Sequence, residues 1–484
     1  MESKLNIKNT ILLIAGVSLL AACSSGQSSQ NVAPSSNLAV YTTNESAQFQ
    51  LLNGAQFQSN LPESANVLID DTVKYQQIEG FGAAITDSSA YLLYSLPEPL
   101  RTNTLKTLFA ASGIQMSMIR VPISASDFSL YNYTYDDMPL GMSDITLQNF
   151  TIYHDLTYII PLLKMIKQIN PAIKIMVTPW SAPAWMKTNQ NYFGTYNGQV
   201  GSLQESDMAV YAQFLTKAVQ NYQLNGVSVD YLSIQNEPLF APDTYGGMYM
   251  SATQQSSFIN QYLTPEFIAN GITTQVLNYD HNWDHPEYPQ EVLSNLTPAA
   301  ESVVTGTAYH CYGGNVDAQS ITHNQFPNKK IFMTECSGGD WAPVFGDNLV
   351  WDMQNLFIGV VNNWGNGSMK WNIALDQDNG PYVGGCTNCR ALVTVNTVNN
   401  AISYNEDYYA VGNMSKFIQP GAYRIASSST NSNLELTALQ NPNGQIVVII
   451  VNGSTLTQPV VLQWHEQKLQ FQIESQTVAA VNWS

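Results

Sequence analysis

Short runs of apolar and β-branched residues alternate with longer helix-like segments between Gln77 and Ala374. Runs such as Ile173–Val177 are almost wholly apolar, which is typical of parallel strands covered on both faces. The predicted strands are Gln77–Gly82, Met116–Val121, Lys174–Pro179, Tyr231–Gln235, Thr274–Asn278, Val303–Tyr309, Lys330–Thr334 and Met369–Ala374. The clearest predicted helices are Ser88–Leu96, Asp155–Ile169, Asp207–Leu224, Ala252–Leu263, Pro286–Leu296 and Asn348–Asn363.

Eight such strand and helix units predict an α/β fold of the (β/α)8 TIM-barrel class. The alternative is a doubly wound sheet, but no glycine-rich G-x-G-x-x-G turn follows the first predicted strand. Asp155 and Asp207 are predicted to act as N-caps or first-turn acids of their helices.

The pattern changes near Tyr423 to short strands without helices. Leu434–Leu439 and Ile446–Val451, joined by a turn, predict a β-hairpin. Further strands are predicted at Val460–Gln463, Leu469–Ile473 and Val478–Val481. The segment before the barrel, with Val67–Asp70 as its clearest strand, is predicted to join the same small β-sandwich. The predicted domains are the catalytic barrel at residues 76–404 and a sandwich formed by residues 38–75 and 405–484.

The N-terminal residues 1–22 are predicted to be a signal peptide. Two lysines precede an apolar stretch from Ile11 to Ala22, which is too short to span a bilayer. The stretch ends in Leu-Ala-Ala-Cys at Cys23, which resembles the lipobox of bacterial lipoproteins, in which the cysteine is lipidated. Residues 23–37 then form a flexible linker. We expect an exported lipoprotein of the outer membrane, with a secreted or periplasmic protein as the alternative.

The charge balance excludes one large class of partners. The chain carries 18 Lys and Arg against 36 Asp and Glu, which gives a net charge of −18. Nucleic-acid binding needs basic patches, and docking on anionic lipid needs basic residues near the surface. We therefore expect no nucleic-acid partner, and membrane contact only through the lipid anchor.

Four cysteines remain after Cys23. Cys386 and Cys389 form a C-x-x-C pair, and a zinc site would need two further ligands of similar spacing, which the sequence lacks. A local disulfide is therefore the favoured interpretation in an oxidising compartment. Cys311 and Cys336 are either buried free thiols or a second disulfide.

Two glutamates follow predicted barrel strands, where barrel enzymes place their reactive groups. Glu237 follows the fourth strand and Glu335 follows the seventh, so the two acids lie three units apart around a ring of eight. They are predicted to face each other across the barrel mouth. A lone glutamate here is more often a cap or an ion-pair partner, but two facing carboxyl groups are what glycosidic cleavage requires.

The neighbouring residues favour sugar binding. Trp180 and Trp371 lie at strand ends and are suited to packing on a pyranose, although barrel-core tryptophan is the alternative. Arg120 is placed to orient a carboxylate and Asp127 to accept hydrogen bonds from hydroxyl groups; a structural ion pair or a loop cap is the alternative for each.

His310 and Tyr312 end the sixth predicted strand near the same mouth. A lone histidine is usually structural. The hydroxyl of Tyr312 is placed to bind Glu335 and keep it ionised.

An ordered set of motifs resembles glycoside hydrolase family 30, which contains lysosomal acid β-glucosidase (glucosylceramidase) and microbial β-1,6-glucanases. The motifs are Gly80–Ala84, Ile119–Ser129, Pro179–Pro183, Asn236–Pro238, His310–Tyr312, Thr334–Cys336 and Ser415–Ile418. The resemblance implies a barrel with an attached β-sandwich and no metal or cofactor. It also implies that Glu237 is the acid/base, Glu335 the nucleophile, and Asn236 the partner of the sugar 2-hydroxyl. By the same resemblance Asp127, Trp180, Asn236, Tyr312 and Trp371 bind substrate, and Arg120 and His310 support the site.

Two features depart from the glucosylceramidases. Cys311 stands where they have tryptophan, and the segment Gly384–Arg390 is one they lack and looks more like the β-1,6-glucanase branch. The main expectation is a retaining β-glucosidase of the glucosylceramidase type that acts on a β-glucoside, either a glycolipid or a glucan. The alternatives are an endo-β-1,6-glucanase and an inactive glycan-binding surface lipoprotein.

Overall fold

The computed structural model describes residues 37–484, so the expected signal peptide and Cys23 lie outside the described residues. Eight parallel strands close into a barrel, in which each strand pairs with the next and the last pairs with the first. The strands are β1 Gly80–Ala84, β2 Met118–Ile123, β3 Lys174–Pro179, β4 Tyr231–Ser233, β5 Gln275–Asn282, β6 Val304–His310, β7 Lys330–Glu335 and β8 Gly367–Asn372. The predicted (β/α)8 barrel is therefore confirmed, and the doubly wound sheet was the wrong alternative.

Side chains from β2 to β8 fill the lower part of the barrel and leave its other end free for polar groups. They are Met118, Met176, Tyr231, Leu277, Ala308, Phe332 and Met369, all buried. The first strand contributes Gly82 instead, because a Cβ there would collide with the backbone of Met118. This packed plug supports the residues above it.

Helices surround the barrel. They are Asp87–Ser95, Leu100–Phe109, Ile159–Ile169, Met208–Leu224, Ala252–Phe258, Thr264–Ala269, Glu287–Ser294, Pro298–Val303, Ala318–Gln325, Phe345–Asp352, Ile358–Asn362 and Glu406–Ser415. Two π-helical turns, Ile259–Leu263 and Met353–Phe357, join neighbouring members of this set into longer helices.

One predicted helix start is wrong. The helix expected from Asp155 begins at Ile159, and Asp155 is buried beneath it. Its carboxylate accepts hydrogen bonds from the hydroxyl groups of Tyr133 (3.0 Å), Tyr222 (2.6 Å) and Tyr135. A buried acid is stabilised by such donors, so Asp155 ties together the surrounding segments rather than capping a helix. Asp207 does lie directly before its helix, but its side chain makes no capping hydrogen bond.

The β-sandwich combines both ends of the described chain. Its strands are Ala39–Thr43, Val67–Gln77, Tyr423–Ser429, Leu434–Gln440, Ile446–Asn452, Gln458–Trp464, Gln467–Ile473 and Thr477–Trp483, with the short strand Gln50–Leu51 at one edge. Ala39–Thr43 pairs with the last strand, and Val67–Gln77 lies between the strands that begin at Tyr423 and Gln458. The N-terminal segment therefore belongs to the sandwich. Gln77, expected in the first barrel strand, also lies in it.

The barrel extends beyond residue 404, its expected end. Helix Glu406–Ser415 packs against β1 and β8 and closes the ring of helices. This helix has an apolar face that includes Val411 and Met414, and packing against the barrel buries that face. Among residues 37–484, no helix is both long and apolar enough to cross a membrane.

Candidate active site

The two glutamates occupy the carboxyl end of the barrel. Glu335 is the last residue of β7, and Glu237 lies four residues beyond β4. Glu237 has a φ of 44°, a conformation that residues with a Cβ seldom adopt. Its N–H donates to the carbonyl of Asp280 at 3.0 Å, and its carbonyl accepts from Phe240 N–H at 2.9 Å. Backbone contacts thus hold the strained residue, and its carboxyl group lies 3.1 Å from His310 Nδ1 at the end of β6.

One carboxylate oxygen of Glu237, one of Glu335 and one ring nitrogen of His310 lie within 4.8 Å of each other. The sequence predicted that the two acids face each other, and the structure brings them together. Both are at the mouth of the barrel, with side chains 15% and 8% exposed respectively. The gap between the two carboxyl groups is therefore too narrow to hold a sugar ring together with a water molecule.

Arg120 on β2 carries a permanent positive charge in the site and is fully buried. Its guanidinium donates to Glu335 Oε2 at 2.6 Å, to Asn236 Oδ1 at 2.7 Å and to Asp280 Oδ2 at 2.8 Å. The contact with Asn236 occupies the amide oxygen and leaves its Nδ2 to donate to a ligand. A planar fork with five N–H groups suits this triple contact better than lysine would.

Asp280 is the central residue that sequence reasoning missed. It accepts hydrogen bonds from Thr334 Oγ1 (2.5 Å) and Ser233 Oγ (2.7 Å), besides Arg120. Burial raises the pKa of this carboxyl, but Arg120 and His310 outweigh burial and hold the pKa far below its usual range. The polar run Asn278–His281 was the available signal, because it follows an apolar strand; that strand was predicted to end at Asn278.

His310 at the end of β6 contacts both Glu237 and Asp280. Its Nδ1 lies 3.1 Å from Glu237 Oε1, and its Nε2 lies 3.1 Å from Asp280 Oδ1. Burial lowers the pKa of His310, but Glu335 and the hydrogen bonds to Asp280 and Glu237 outweigh burial and raise it to about 9. His310 therefore carries a proton at neutral pH and donates to both carboxylates.

The pKa values of the two glutamates move in opposite directions. Burial raises the pKa of both carboxyl groups. For Glu237, the hydrogen bond and charge of His310 outweigh burial, and its pKa is lowered. For Glu335, burial together with the charge of Glu237 outweighs Arg120 and His310, and its pKa is raised. A glycosidase usually gives its acid/base the higher pKa and its nucleophile the lower one. The directions found here are the reverse for the expected roles of Glu237 and Glu335, and the proton beside Glu237 is held on His310 instead.

Two tryptophans and an aspartate form one wall of the site. Trp180 and Trp371 stack on each other with ring centroids 5.3 Å apart, and the Arg120 guanidinium lies 4.9 Å from the ring centroid of Trp180. Both indoles are at least 97% buried, so they form a packed wall rather than open platforms. Asp127 is also buried, and burial with the charge of Glu335 raises its pKa well above its usual range.

The segment Gly384–Arg390 closes this wall. The expected local disulfide between Cys386 and Cys389 is present. Gly385 has a φ of 67° and lies against Asp127, where a Cβ would come within 2.6 Å of Oδ2. Tyr245, which the sequence did not single out, packs with Cys386 against the buried cluster that contains the two tryptophans.

Cys311 and Cys336, left open by the sequence, form a second disulfide. Cys336 directly follows Glu335, and Cys311 lies between His310 and Tyr312. The bond therefore joins the ends of β6 and β7 beside both glutamates. Tyr312 donates its hydroxyl to Glu335 Oε1 at 3.1 Å.

Replacing this disulfide is expected to reduce activity by more than the accompanying loss of thermal stability would explain. In Cys311→Ala/Cys336→Ala, β6 and β7 lose their covalent tie, so Tyr312 no longer stays on Glu335. We expect kcat on an aryl β-glucoside to fall about tenfold or more, since small displacements of catalytic groups are costly. Cys386→Ala/Cys389→Ala is the matched control for disulfide loss. Equal kcat values for the two double variants, at matched thermal stability, would contradict this role.

The fold and this site together define a class of enzyme. Paired glutamates three strands apart at the mouth of a (β/α)8 barrel, held by arginine, histidine and tyrosine and flanked by tryptophans, are the groups of a glycoside hydrolase. Comparison with known families agrees. The Glycosyl hydrolase family 30 TIM-barrel domain matches residues 78–418, and the Glycosyl hydrolase family 30 beta sandwich domain matches residues 421–481. The chain belongs to glycosyl hydrolase family 30.

Glucanases and glucosylceramidases are both found among its relatives. The chain is 32% identical over 435 residues to an endo-1,6-beta-D-glucanase of Trichoderma harzianum, covering 85% of this chain and 86% of the relative. It is 29% identical over 413 residues to the lysosomal acid glucosylceramidase of Mus musculus, covering 80% and 77%. The solved structure of the endo-beta1,6-glucanase BT3312 matches with a TM-score of 0.84 at 29% identity, covering 92% of this chain and 99% of that one.

Proposed function

We propose that this hydrolase is a retaining endo-β-1,6-glucanase, in which Glu335 is the nucleophile and Glu237 the acid/base. The observation that carries the mechanism is the spacing of the two carboxyl groups, whose nearest oxygens lie within 4.8 Å. Retaining glycosidases hold these groups ~5–5.5 Å apart, whereas inverting enzymes separate them by ~6.5–9.5 Å to admit a water molecule.

In the first step, Glu335 attacks the anomeric carbon and forms a glycosyl ester while the glycosidic C–O bond breaks. Glu237 delivers the proton to the leaving oxygen. This proton comes from His310 Nδ1, which is protonated at neutral pH and hydrogen-bonded to Glu237, so the step leaves Glu237 as a carboxylate beside a neutral His310. Arg120 keeps Glu335 oriented, and Asn236 Nδ2 faces the sugar 2-hydroxyl.

In the second step, water enters on the side vacated by the leaving group. Glu237 accepts a proton from the water, whose oxygen attacks the anomeric carbon and releases Glu335 as a carboxylate. Two displacements at the same carbon restore the β configuration. The carboxyl group of Asp127, whose pKa is raised by burial and by the charge of Glu335, is the proposed hydrogen-bond partner of substrate hydroxyl groups.

Two observations support a β-1,6-glucan as the substrate. The chain is 32% identical to the Trichoderma harzianum glucanase and 29% identical to the lysosomal glucosylceramidase. It also matches the solved structure of a second glucanase with a TM-score of 0.84 at 29% identity. The disulfide-bonded segment Gly384–Arg390 and Cys311, which set this chain apart from the glucosylceramidases, both contact the site. The glucosylceramidase-type activity expected first is therefore the second candidate.

Parallel incubation separates the candidates. We expect the enzyme to release reducing sugar from a linear β-1,6-glucan and to leave glucosylceramide micelles at least about 100-fold less hydrolysed. Glu335→Gln serves as the inactive control for both substrates. Hydrolysis of glucosylceramide alone would instead favour the second candidate. Binding of the glucan without cleavage of it or of an aryl β-glucoside would identify a glycan-binding protein.

We also propose that the protein is exported and anchored through Cys23. The two disulfides support an oxidising compartment, because cytosolic proteins seldom keep such bonds. Cys23→Ala is expected to abolish incorporation of labelled fatty acid and to leave the precursor unprocessed or mislocalised. Normal processing of this variant would show that the leader is an ordinary secretory signal, and Cys311→Ala controls for the loss of a cysteine elsewhere.

A further inference from the structure

A cavity of about 590 Å³ adjoins the catalytic centre. It begins at Tyr312, the residue that contacts the nucleophile, and ends at the helix Phe345–Asp352. The Cys311–Cys336 disulfide lines it between them. None of the wall residues Asp127, Trp180 and Trp371 takes part, so the cavity lies beyond the glucose subsite but is continuous with the centre.

The cavity is lined by aromatic and apolar side chains that nothing in the described chain covers. Trp341 is 56% exposed, Val344 52% and Trp351 44%. Exposed tryptophans in one concave patch are costly in water and mark a place where a ligand binds. In contrast, Trp180, Trp185, Trp283, Trp371 and Trp483 are buried.

The local backbone presents one of these indoles to the cavity. Trp341 lies directly on Gly339, where any Cβ would collide with the indole ring. Glycine lets the ring approach the backbone of the short strand Gly338–Gly339 while the side chain stays largely exposed. An exposed indole in the same cavity as Asp347 combines an apolar surface with a hydrogen-bond acceptor.

We propose that this cavity binds the glucosyl units on the leaving-group side of the scissile bond, with Trp341 and Trp351 packing against their rings. This inference rests on the proposed glucanase function. The pyranose ring of a β-glucoside has an apolar face of C–H groups and an edge of hydroxyl groups. Trp341 offers an apolar ring, and Asp347, whose Oδ1 accepts from Gln476 Nε2, offers a carboxylate in the same cavity, so the pair matches that division better than it matches an aliphatic chain.

The test compares chain-length dependence in variants of the two tryptophans. Trp341→Ala and Trp351→Ala are assayed on 4-nitrophenyl β-glucoside and on β-1,6-linked gluco-oligosaccharides of two to five units. We expect the ratio of kcat/KM for the oligosaccharides to that for the aryl glucoside to fall about tenfold or more, as for loss of a central aromatic contact. Trp341→Tyr is expected to restore much of the ratio, since it keeps a flat ring.

Tyr153→Ala is the matched control, because Tyr153 is exposed and lies outside the cavity. An unchanged ratio in both tryptophan variants would overturn the subsite while leaving the proposed function intact. Failure of the unmodified enzyme to cleave any oligosaccharide would overturn the proposed function itself. A selective loss of glucosylceramide hydrolysis in the variants would identify a lipid chain as the occupant and would also overturn the subsite.

Discussion

Glu237→Ala, incubated with 2,4-dinitrophenyl β-glucoside and azide, is expected to produce β-glucosyl azide. The activated leaving group needs little protonation, so the first step proceeds without Glu237 and the glycosyl ester of Glu335 accumulates. Water is a poor nucleophile without a general base, but azide requires none. Its attack on the ester gives a second inversion and hence the β product. Without azide, a burst of dinitrophenol followed by slow turnover is expected.

Glu335→Ala is expected to lose about 10⁴-fold or more in kcat on the same substrate, because no carboxylate remains to form the intermediate. Azide that enters its place displaces the leaving group directly, with one inversion, and gives α-glucosyl azide. Glu466→Ala, at an exposed position of the sandwich, controls for loss of a glutamate. β-Azide from Glu335→Ala together with α-azide from Glu237→Ala would reverse the assigned roles.

Arg120→Met is expected to lower the free energy of unfolding by about 3–5 kcal/mol and to abolish activity. The substitution leaves Asp280 and Glu335 buried without their shared cation. Chemical denaturation measures the loss. Arg101→Met, which removes an ion pair with the exposed Glu98 and a hydrogen bond to the Tyr94 carbonyl, is the matched control and should cost less, about 1–2 kcal/mol.

Arg120→Lys is expected to fold and to show the electrostatic effect on its own. One ammonium cannot hold Glu335, Asn236 and Asp280 in the positions of the guanidinium fork. The pKa of Glu335 is already raised by burial, and weaker contact with a cation raises it further. Since the nucleophile must be ionised, the acidic limb of kcat/KM against pH moves to higher pH. A profile that coincides with that of the unmodified enzyme would contradict this role of Arg120.

The barrel could be predicted from the sequence because parallel strands buried on both faces leave an unusually clear apolar pattern. The strand ends were less accessible. β5 continues through polar residues to Asn282, where the barrel mouth supplies their partners, and the apolar pattern had already ended at Asn278. Asp280 was therefore overlooked although it binds Arg120, His310, Ser233 and Thr334.

Contacts between residues far apart in the sequence could not be predicted either. Cys311 and Cys336 are 25 residues apart, and only the adjacent ends of β6 and β7 make them partners. Asp155 resembles a helix cap in the sequence, but three tyrosines from distant segments satisfy it in the fold. The proximity of Glu237 and Glu335 could be predicted, because the number of strands between them placed them across the barrel mouth from each other.

The configuration of the first product from a linear β-1,6-glucan tests the central claim most directly. Proton NMR during the first minutes of hydrolysis distinguishes the two anomers before mutarotation mixes them. A double displacement is expected to give new reducing ends as the β anomer, with the α anomer growing later at the rate of mutarotation. New reducing ends that appear first as the α anomer would contradict the double displacement by Glu335 and Glu237.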